Sequence, residues 1–376
     1  MSVADPTALR SALVTPTLRV VAAQGLEGAP VAEGSSPLGA RAFLELIGRV
    51  AAERIPYHLV AAIESGALPA TDEQYEEAKR CHESALAVDV CLERVLAGIS
   101  ERLTAAGIDH RALKGMAVAH SDYDDPAMRS SGDVDLLVEG KHLDAAVEML
   151  VTDGGRTLFL EPRPGFRARF EKGVCVERED GFEVDVHRVF CSGPFGLSLV
   201  ADDLFDDHAE VVLGGTAVPV LGRTQRFLHV CYHAALSKRP RLSSLRDIAE
   251  IDRSGRLNAD EVLETSRRWR GQAAVARGLR VTSETLGVEL DGTLRRWADS
   301  YEPTRFEAAA LRAYASEEGS YARQAALGLW AIRSWRDRAA YARALLLPSH
   351  EYLRAREGSL SMRWRHAINL GRPGRR

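Results

Sequence analysis

The chain has 376 residues, of which 45% are hydrophobic and 27% are charged. This composition is typical of folded globular proteins, so it excludes a chain that is disordered throughout, a collagen and a single coiled coil, and the length predicts two or three domains. The 49 Lys and Arg residues against 53 Asp and Glu residues give a net charge of −4. That balance excludes a whole-chain basic field for nucleic acid but leaves room for a local basic patch.

The five cysteines are odd in number and form no Cys-x-x-Cys pair, which argues against a disulfide framework and against a thiolate zinc site. Such cysteine usage fits a reducing compartment. Asp5 and Pro6 precede any apolar run, and no later run approaches the roughly 18 apolar residues that span a bilayer. We therefore expect a cytoplasmic protein without a signal peptide and without a membrane partner.

Residues 1–37 are rich in Ala, Gly, Pro, Ser and Thr without sustained periodicity, which predicts a mobile leader. From residue 38 apolar residues recur at helical spacing. Thr71 and Gln74 then form a capping-box pattern, which predicts a second helix that reaches about residue 106. Residues 38–106 are therefore predicted to form an N-terminal helical region.

Between residues 107 and 220 short β-type runs alternate with Gly, Asp and Pro, which predicts a catalytic domain of the α+β class. The clearest hairpin places Asp180-Gly181 between two alternating runs, and Asp-Gly favours a two-residue type I′ turn. Residues 221–376 show helical patterns almost to their end and are predicted to form a C-terminal helical domain.

Asp133 and Asp135 stand at the head of an apolar run, Leu136-Leu137-Val138, that reads as a strand. Alternate residues of a strand point to the same face, so the two carboxylates are expected side by side. Carboxylates that close repel each other unless a positive charge lies between them, and clustered oxygen ligands suit Mg²⁺ or Mn²⁺. The alternative is a strand that is entered through an acidic turn.

A second acidic row follows in the hairpin. In Glu183-Val184-Asp185-Val186-His187 the polar residues alternate with valines, so Glu183, Asp185 and His187 share one face. An amphipathic edge strand would show the same pattern. If Asp185 lies beside Asp133 and Asp135, the three carboxylates make a site for one or two divalent ions, able to bridge nucleotide phosphates.

Lys114-Gly115 follows a short apolar run and reads as a turn between a strand and a helix. A glycine at such a turn lets backbone N–H groups approach an anion, and the adjacent lysine offers its charge to a phosphate. Arg129, four residues before Asp133, carries a planar guanidinium that can also bind phosphate.

Together these segments resemble the DNA polymerase β-type nucleotidyltransferase superfamily. The likeness is greatest to a bacterial family of uncharacterised nucleotidyltransferases that often lie beside natural-product and polysaccharide gene clusters, and it spans roughly residues 85–357. The segments that carry it are Leu113-Lys114-Gly115, Tyr123, Pro126, Arg129, Asp133 to Val138, Val184 to His187, Phe227 to His233, Leu245 to Ile248 and Leu346 to Leu353.

The resemblance implies an α+β fold, with a nucleotidyltransferase-like mixed β-sheet core, helices on one side of the sheet, and helical N-terminal and C-terminal regions. It implies that Asp133, Asp135 and Asp185 are catalytic and bind Mg²⁺ or Mn²⁺. The residues expected to bind the nucleotide or its phosphates are Lys114, Gly115, Arg129, Ser131 and His187. Two departures stand out: Lys114-Gly115 replaces the Gly-Ser pair of the wider superfamily, and Glu183 rivals Asp185 as the third ligand.

The implied reaction is metal-dependent transfer of a nucleoside monophosphate group from a nucleoside triphosphate to a hydroxyl or similar acceptor. The expected acceptor is a small molecule or a peptide, in specialised metabolism. Two alternatives stay open. The first is a toxin-like enzyme that modifies tRNA or protein, because Arg and Trp (Trp330, Trp335 and Trp364) interleave near the C-terminus. The second is a non-catalytic nucleotide-binding or scaffold protein with the same fold.

Overall fold

The computed structural model describes residues 14–355 except 33, 35, 158–159 and 316–319. In chain order the helices are α1 (Pro16–Ala23), α2 (Ala40–Ala52), α3 (Pro56–Glu64), α4 (Asp72–Ala105), α5 (Lys114–Asp122), α6 (Leu143–Thr152), α7 (Phe166–Phe170), α8 (Gly193–Ser198), α9 (Arg223–Leu236), α10 (Leu242–Arg253), α11 (Ala259–Arg268), α12 (Gln272–Leu286), α13 (Gly292–Ser300), α14 (Arg305–Ala315), α15 (Ser320–Ala331), α16 (Trp335–Leu346) and α17 (His350–Ala355). Short 3-10 helices lie at Pro126–Met128, Gly140–His142 and Asp202–Leu204. No helix in these described ranges combines the length and apolarity needed to cross a bilayer.

Within the described part of the chain, seven strands form one mixed sheet in the order β3-β4-β5-β2-β1-β7-β6. The strands are β1 (His110–Ala112), β2 (Val134–Val138), β3 (Arg156–Thr157), β4 (Gly173–Glu177), β5 (Glu183–His187), β6 (His208–Leu213) and β7 (Thr216–Leu221). The pairs β2–β5 and β1–β7 are parallel and the remaining pairs are antiparallel. The predicted α+β class with a mixed-sheet core is confirmed.

Helices cover both faces of this sheet, and not one face as the resemblance implied. Along β2 the side chains of Val134, Leu136 and Val138 enter a buried cluster shared with α4 and α6. Leu137, which points to the opposite face, enters a second cluster formed largely by the other helices. Because Asp135 alternates with Leu136, its carboxylate lies on the same face as Leu137.

Part of the predicted mobile leader is a buried helix. Thr15 caps α1 by accepting a hydrogen bond from the Leu18 backbone N–H, and Leu18 and Val21 of this helix have no exposed surface. The second cluster takes in α1, the N-terminal helices, β2 and the C-terminal helices. This cluster contains residues from both sides of positions 37, 106 and 220. The predicted division of the chain into domains at these positions therefore stays a prediction. Residues 1–13 lie outside the described residues.

The hairpin between β4 and β5 has a longer loop than the predicted two-residue turn. Gly181 has a positive φ of 84°, whereas Asp180 does not have a positive φ. The Gly181 backbone N–H donates to the Arg178 carbonyl, and the Arg178 N–H donates to the Phe182 carbonyl. These two backbone hydrogen bonds close a three-residue loop with one left-handed glycine. The Asp180 carboxylate supports the loop by accepting hydrogen bonds from the Phe182 N–H and from the Arg178 side chain.

Two tryptophans of the Arg-rich C-terminal region lie on the surface. Trp330 and Trp335 are both exposed, and the Arg336 guanidinium lies 5.6 Å from the centre of the Trp335 ring. Helices with solvated arginines and buried tryptophans would have the same composition, but Trp330 and Trp335 are not buried. Trp364 lies outside the described residues, and nucleic acid binding by this region stays a prediction.

Candidate active site

The strand β2 presents both acids of the Asp-x-Asp pattern to one face of the sheet. Asp133 immediately precedes the strand, and Asp135 is its second residue. The Asp135 carbonyl accepts a hydrogen bond of 2.9 Å from the Leu113 N–H, which joins the strand to the turn that follows β1. Asp135 is buried and Asp133 is partly exposed, so the pair runs from the interior towards the surface.

The register of β2 against β5 brings the third acid to this pair. The two strands are parallel, and Asp135 lies directly opposite Asp185, with Leu137 opposite His187. Oxygens of Asp135 and Asp185 and a ring nitrogen of His187 all lie within 4.8 Å of one another. Glu183 is exposed and lies two residues before Asp185, so the register sets Asp185, and not Glu183, beside Asp135. We refer to Asp133, Asp135 and Asp185 as the carboxylate cluster.

Two cations from different parts of the chain bind the Asp-x-Asp pair. The Arg54 guanidinium donates to Asp133 Oδ1 at 3.0 Å. The Lys114 Nζ lies 2.7 Å from Asp135 Oδ2 and 4.0 Å from Asp133 Oδ2. Adjacent carboxylates are stable in the interior only with such compensation, and here the protein's own side chains supply it.

The third carboxylate has weaker partners. Lys172 Nζ lies 3.8 Å from Asp185 Oδ2, and His187 Nε2 lies 3.8 Å from the same oxygen. The His187 Nε2–H donates instead to Asp135 Oδ1 at 2.8 Å. The nearest cation of Asp185 is therefore farther away than those of Asp133 and Asp135, and the Cys175 thiol also hydrogen-bonds to Asp185.

Charge within the cluster is strongly coupled. Burial alone would raise the pKa of Asp135, but the Lys114 ammonium and the His187 hydrogen bond outweigh it and hold that pKa well below its usual range. Burial lowers the pKa of Lys114, but Asp135 and Asp133 outweigh it and raise that pKa above its ordinary value. Burial and Lys172 lower the pKa of His187, although the hydrogen bond to Asp135 and its charge raise it. Because a carboxylate oxygen can only accept, Nε2 carries the proton of that hydrogen bond.

The turn after β1 has the strand, turn and helix order that the sequence predicts. Both Lys114 and Gly115 have positive φ, 30° and 37°. A Cβ on residue 115 would lie 2.9 Å from Ser131 Oγ, so the glycine lets the turn approach the segment that leads into β2. Lys114, Gly115 and Ser131 therefore lie together beside the carboxylate cluster.

The model of a family described as uncharacterised nucleotidyltransferase matches residues 40–287, about two thirds of the chain. The chain belongs to this uncharacterised nucleotidyltransferase family. All the residues discussed above as site residues lie within the match. A comparison with curated proteins finds no match.

Two solved structures are similar to part of this family member. The first is an antigenic nucleotidyltransferase-like protein from Paracoccidioides brasiliensis, at 14% identity and a TM-score of 0.34, covering 53% of this chain and 93% of that one. The second is the antibiotic-resistance factor ANT(2'')-Ia, at 18% identity and a TM-score of 0.33, covering 50% of this chain and 94% of that one.

Arg129 has a buried protein partner. Its guanidinium donates to Asp247 of α10 through two hydrogen bonds of 2.9 and 3.0 Å, and Tyr123 Oη donates to the same carboxylate at 2.9 Å. Arg129 and Asp247 are both buried. Arg129 therefore attaches the segment before β2 of this nucleotidyltransferase-family chain to the C-terminal helices, and phosphate binding by Arg129 stays a prediction.

Three residues of the site escaped the sequence analysis. Arg54 lies between α2 and α3, Lys172 immediately precedes β4, and Asp89 lies within α4. The Asp89 carboxylate accepts a hydrogen bond of 2.6 Å from the Ser131 N–H and so holds the segment before β2. No motif marks them, since each reaches the site from a distant element through tertiary packing.

Proposed function

We propose that this protein is a divalent-metal-dependent nucleotidyltransferase that moves a nucleoside monophosphate group from a nucleoside triphosphate to a hydroxyl of a small molecule or peptide in the cytoplasm. The observation that carries the proposal is the parallel register of β2 and β5, which puts Asp135 beside Asp185 with Asp133 on the same face. Membership of the nucleotidyltransferase family supports the reaction class.

The donor set of the cluster suits Mg²⁺ or Mn²⁺. Hard divalent ions prefer carboxylate oxygens, and Asp133, Asp135 and Asp185 would hold them. Three cationic side chains contact these acids, which indicates a concentration of negative charge that calls for positive charge. When bound, the ion would neutralise charge on the triphosphate and on the phosphoryl group in transfer.

The side chains of the site have separate roles in the transfer. The acceptor oxygen bonds to the α-phosphorus, the bond from that phosphorus to the bridging oxygen breaks, and pyrophosphate leaves. Asp185, the carboxylate of the cluster with the most distant cation, accepts the proton of the acceptor hydroxyl. Lys114 and the backbone N–H groups at Gly115 bind the departing pyrophosphate. Positioning and charge compensation provide the catalysis.

A cavity beside Asp185 suits a small acceptor. It has a volume of about 500 Å³ and is lined by Lys172, Cys175, His187 and Tyr352 as well as by Asp185. This volume falls in the range of small-molecule sites. We refer to it as the Asp185 cavity. An acceptor hydroxyl placed there would lie next to the group that takes its proton.

Thermal unfolding with each of the four common nucleoside triphosphates, with and without Mg²⁺, tests the proposal. A ligand at 100 times its dissociation constant stabilises the native state by about 2.7 kcal/mol, which raises the melting temperature by several degrees. We expect at least one triphosphate to stabilise the wild type in the presence of Mg²⁺ and to lose this effect in Asp135→Asn.

The matched control is Glu183→Gln, which neutralises an exposed acid two residues from Asp185. We expect it to keep the metal-dependent stabilisation. If Glu183→Gln loses it as well, Glu183 belongs to the metal site. If no triphosphate stabilises the wild type with Mg²⁺, the proposal is wrong and a non-catalytic scaffold becomes the better reading.

A further inference from the structure

A second cavity lies between α2 and α4, and it shares no lining residue with the Asp185 cavity. Its volume is about 540 Å³, again in the range of small-molecule sites. Part of the wall is aliphatic, with Ile47 and Ala51 from α2 and Ala85 and Val88 from α4, and α4 also contributes polar residues that include Glu77, Arg80 and Ser84. We refer to it as the α2–α4 cavity. Nothing in the proposed chemistry above uses it.

Two residues that line this cavity carry buried hydroxyl groups without partners. Ser130 and Ser131 line it, and their side chains are buried, with only 4% and 8% of each residue exposed. Neither hydroxyl oxygen has a hydrogen-bond partner among the described residues. A buried hydroxyl without a partner costs free energy, so two of them on residues that line one cavity point to a polar ligand.

Arg54 connects the cavity to the carboxylate cluster. It lines the cavity, while its guanidinium contacts Asp133. A Cβ on Gly132 would lie 2.2 Å from Arg54 Nη2, so the absence of a side chain at residue 132 is what allows the guanidinium to pass. The backbone of Arg54 has a positive φ of 59°, an uncommon conformation for a residue with a side chain. Arg54 therefore has an uncommon backbone conformation at the position where it both lines the α2–α4 cavity and contacts Asp133.

We propose that the α2–α4 cavity binds the nucleoside part of the triphosphate, an inference that rests on the proposed function. A nucleoside has apolar base faces and polar edges, which match aliphatic walls and the Ser130 and Ser131 hydroxyls. Its triphosphate would then extend past Arg54 towards the turn at Lys114-Gly115, where Gly115 lies close to Ser131. Arg80 and Glu77, which also line the cavity and form an ion pair, can offer hydrogen bonds to the edge of a base.

The position of Asp185 assigns the other cavity to the acceptor. In phosphoryl transfer the attacking and leaving oxygens lie roughly in line on opposite sides of the phosphorus. Asp185 lines the Asp185 cavity, whereas Ser131, which adjoins the phosphate turn, lines the α2–α4 cavity. Donor and acceptor would therefore approach the carboxylate cluster from two separate cavities.

Tryptophan substitutions that fill one cavity at a time test this assignment. Ala51→Trp and Ala85→Trp fill the α2–α4 cavity from opposite walls, and Leu160→Trp, at the rim of the Asp185 cavity, is the matched control. Ala51 is exposed and Ala85 half-buried, so neither change overpacks the core. Melting temperatures without ligand within about 2 °C of the wild type verify folding.

The probes are ATP, GTP, CTP and UTP with Mg²⁺, and the dissociation constant is measured by calorimetry. We expect the triphosphate that binds the wild type to bind Ala51→Trp and Ala85→Trp at least tenfold more weakly, and Leu160→Trp as tightly as the wild type. Mn²⁺ binding without nucleotide should be equal in all four proteins, which separates a blocked nucleoside site from a damaged metal site.

Several results would overturn the inference. Wild-type triphosphate affinity in both α2–α4 variants would exclude the nucleoside from this cavity. A loss confined to Leu160→Trp would place the nucleotide in the Asp185 cavity. Either result leaves the proposed function intact, because the wild type still binds a triphosphate with Mg²⁺. If the wild type binds none, the proposed function and this inference fail together.

Discussion

Asp247 and Asp133 each bind an arginine at about 3 Å, yet their surroundings differ. The Arg129–Asp247 pair has two hydrogen bonds, and its side chains are 5% and 2% exposed. The Arg54–Asp133 pair has one hydrogen bond, and its side chains are 21% and 27% exposed. The first pair is closed to solvent and to ligands, whereas the second opens onto a cavity.

This difference separates structural ion pairs from exchangeable ones. A buried bidentate pair cannot release one partner without leaving an unpaired charge in the interior. A partly exposed pair with a single contact can exchange its partner for an ion or a phosphate at little cost. The segment before β2 therefore combines a fixed attachment, through Arg129, with an exchangeable contact at Asp133.

The largest effect is expected from breaking the closed pair. Asp247→Asn leaves the Arg129 guanidinium buried without its countercharge, which should reduce the free energy of unfolding by about 3–5 kcal/mol. Urea unfolding monitored by tryptophan fluorescence measures the change. The control is Asp124→Asn, which removes a carboxylate that contacts Arg253 at 2.8 Å and is 78% exposed. We expect that variant to stay within about 0.5 kcal/mol of the wild type.

Equal losses in Asp247→Asn and Asp124→Asn would contradict the distinction between the two kinds of pair. The distinction would also be contradicted if Asp247→Asn kept full stability but lost triphosphate binding. Asp247 would then contribute to ligand binding and not to the stability of the fold.

Local patterns predict much of this fold. The capping box at Thr71 and Gln74 is present, and α4 runs to Ala105, close to the predicted end at residue 106. The period-two alternation of Asp133 to Val138 and of Glu183 to His187 identifies β2 and β5. Each of these features depends on interactions within a few residues, which is why the sequence alone reveals them.

Contacts between distant residues escape such patterns. Arg54 lies 79 residues from Asp133, and Asp89 lies 42 residues from Ser131, so neither spacing forms a motif. For the same reason Arg129 could be assigned a phosphate, since its partner Asp247 is 118 residues away. The burial of helix α1 depends on packing against helices far along the chain, which no local pattern in residues 1–37 reveals.

Asp89 differs from both kinds of pair, since it is buried and accepts a hydrogen bond from a neutral backbone N–H, that of Ser131. Burial raises its pKa to about 6, although the Ser131 N–H lowers it. The folded protein therefore binds this proton more tightly than the unfolded chain, in which Asp titrates near 3.9. The stability from this group is fully present below about pH 4 and is lost as the pH rises through about 6.

Asp89→Asn keeps an oxygen for the Ser131 N–H but removes the charge. Relative to the wild type we expect its unfolding free energy to increase between pH 4 and pH 7.5 by about 2–3 kcal/mol. Urea unfolding at both pH values measures the change. Glu83→Gln, at an exposed acid of the same helix, is the control. A stability difference for Asp89→Asn that is the same at both pH values would show that burial of Asp89 does not govern its protonation.

The smallest effects are expected at the exchangeable contacts, and they should appear in metal binding more than in stability. If Arg54 and a divalent ion compete for Asp133, Arg54→Ala should bind Mn²⁺ without nucleotide roughly fivefold more tightly, equivalent to about 1 kcal/mol, and lose less than about 1 kcal/mol of stability. Lys172→Ala should gain less, about twofold, because Lys172 Nζ lies 3.8 Å from Asp185 whereas Arg54 lies 3.0 Å from Asp133. Calorimetric titration with Mn²⁺ measures both gains. Unchanged Mn²⁺ affinity in Arg54→Ala together with a stability loss of several kcal/mol would make Arg54–Asp133 a structural pair like Arg129–Asp247, and the contrast between them would disappear.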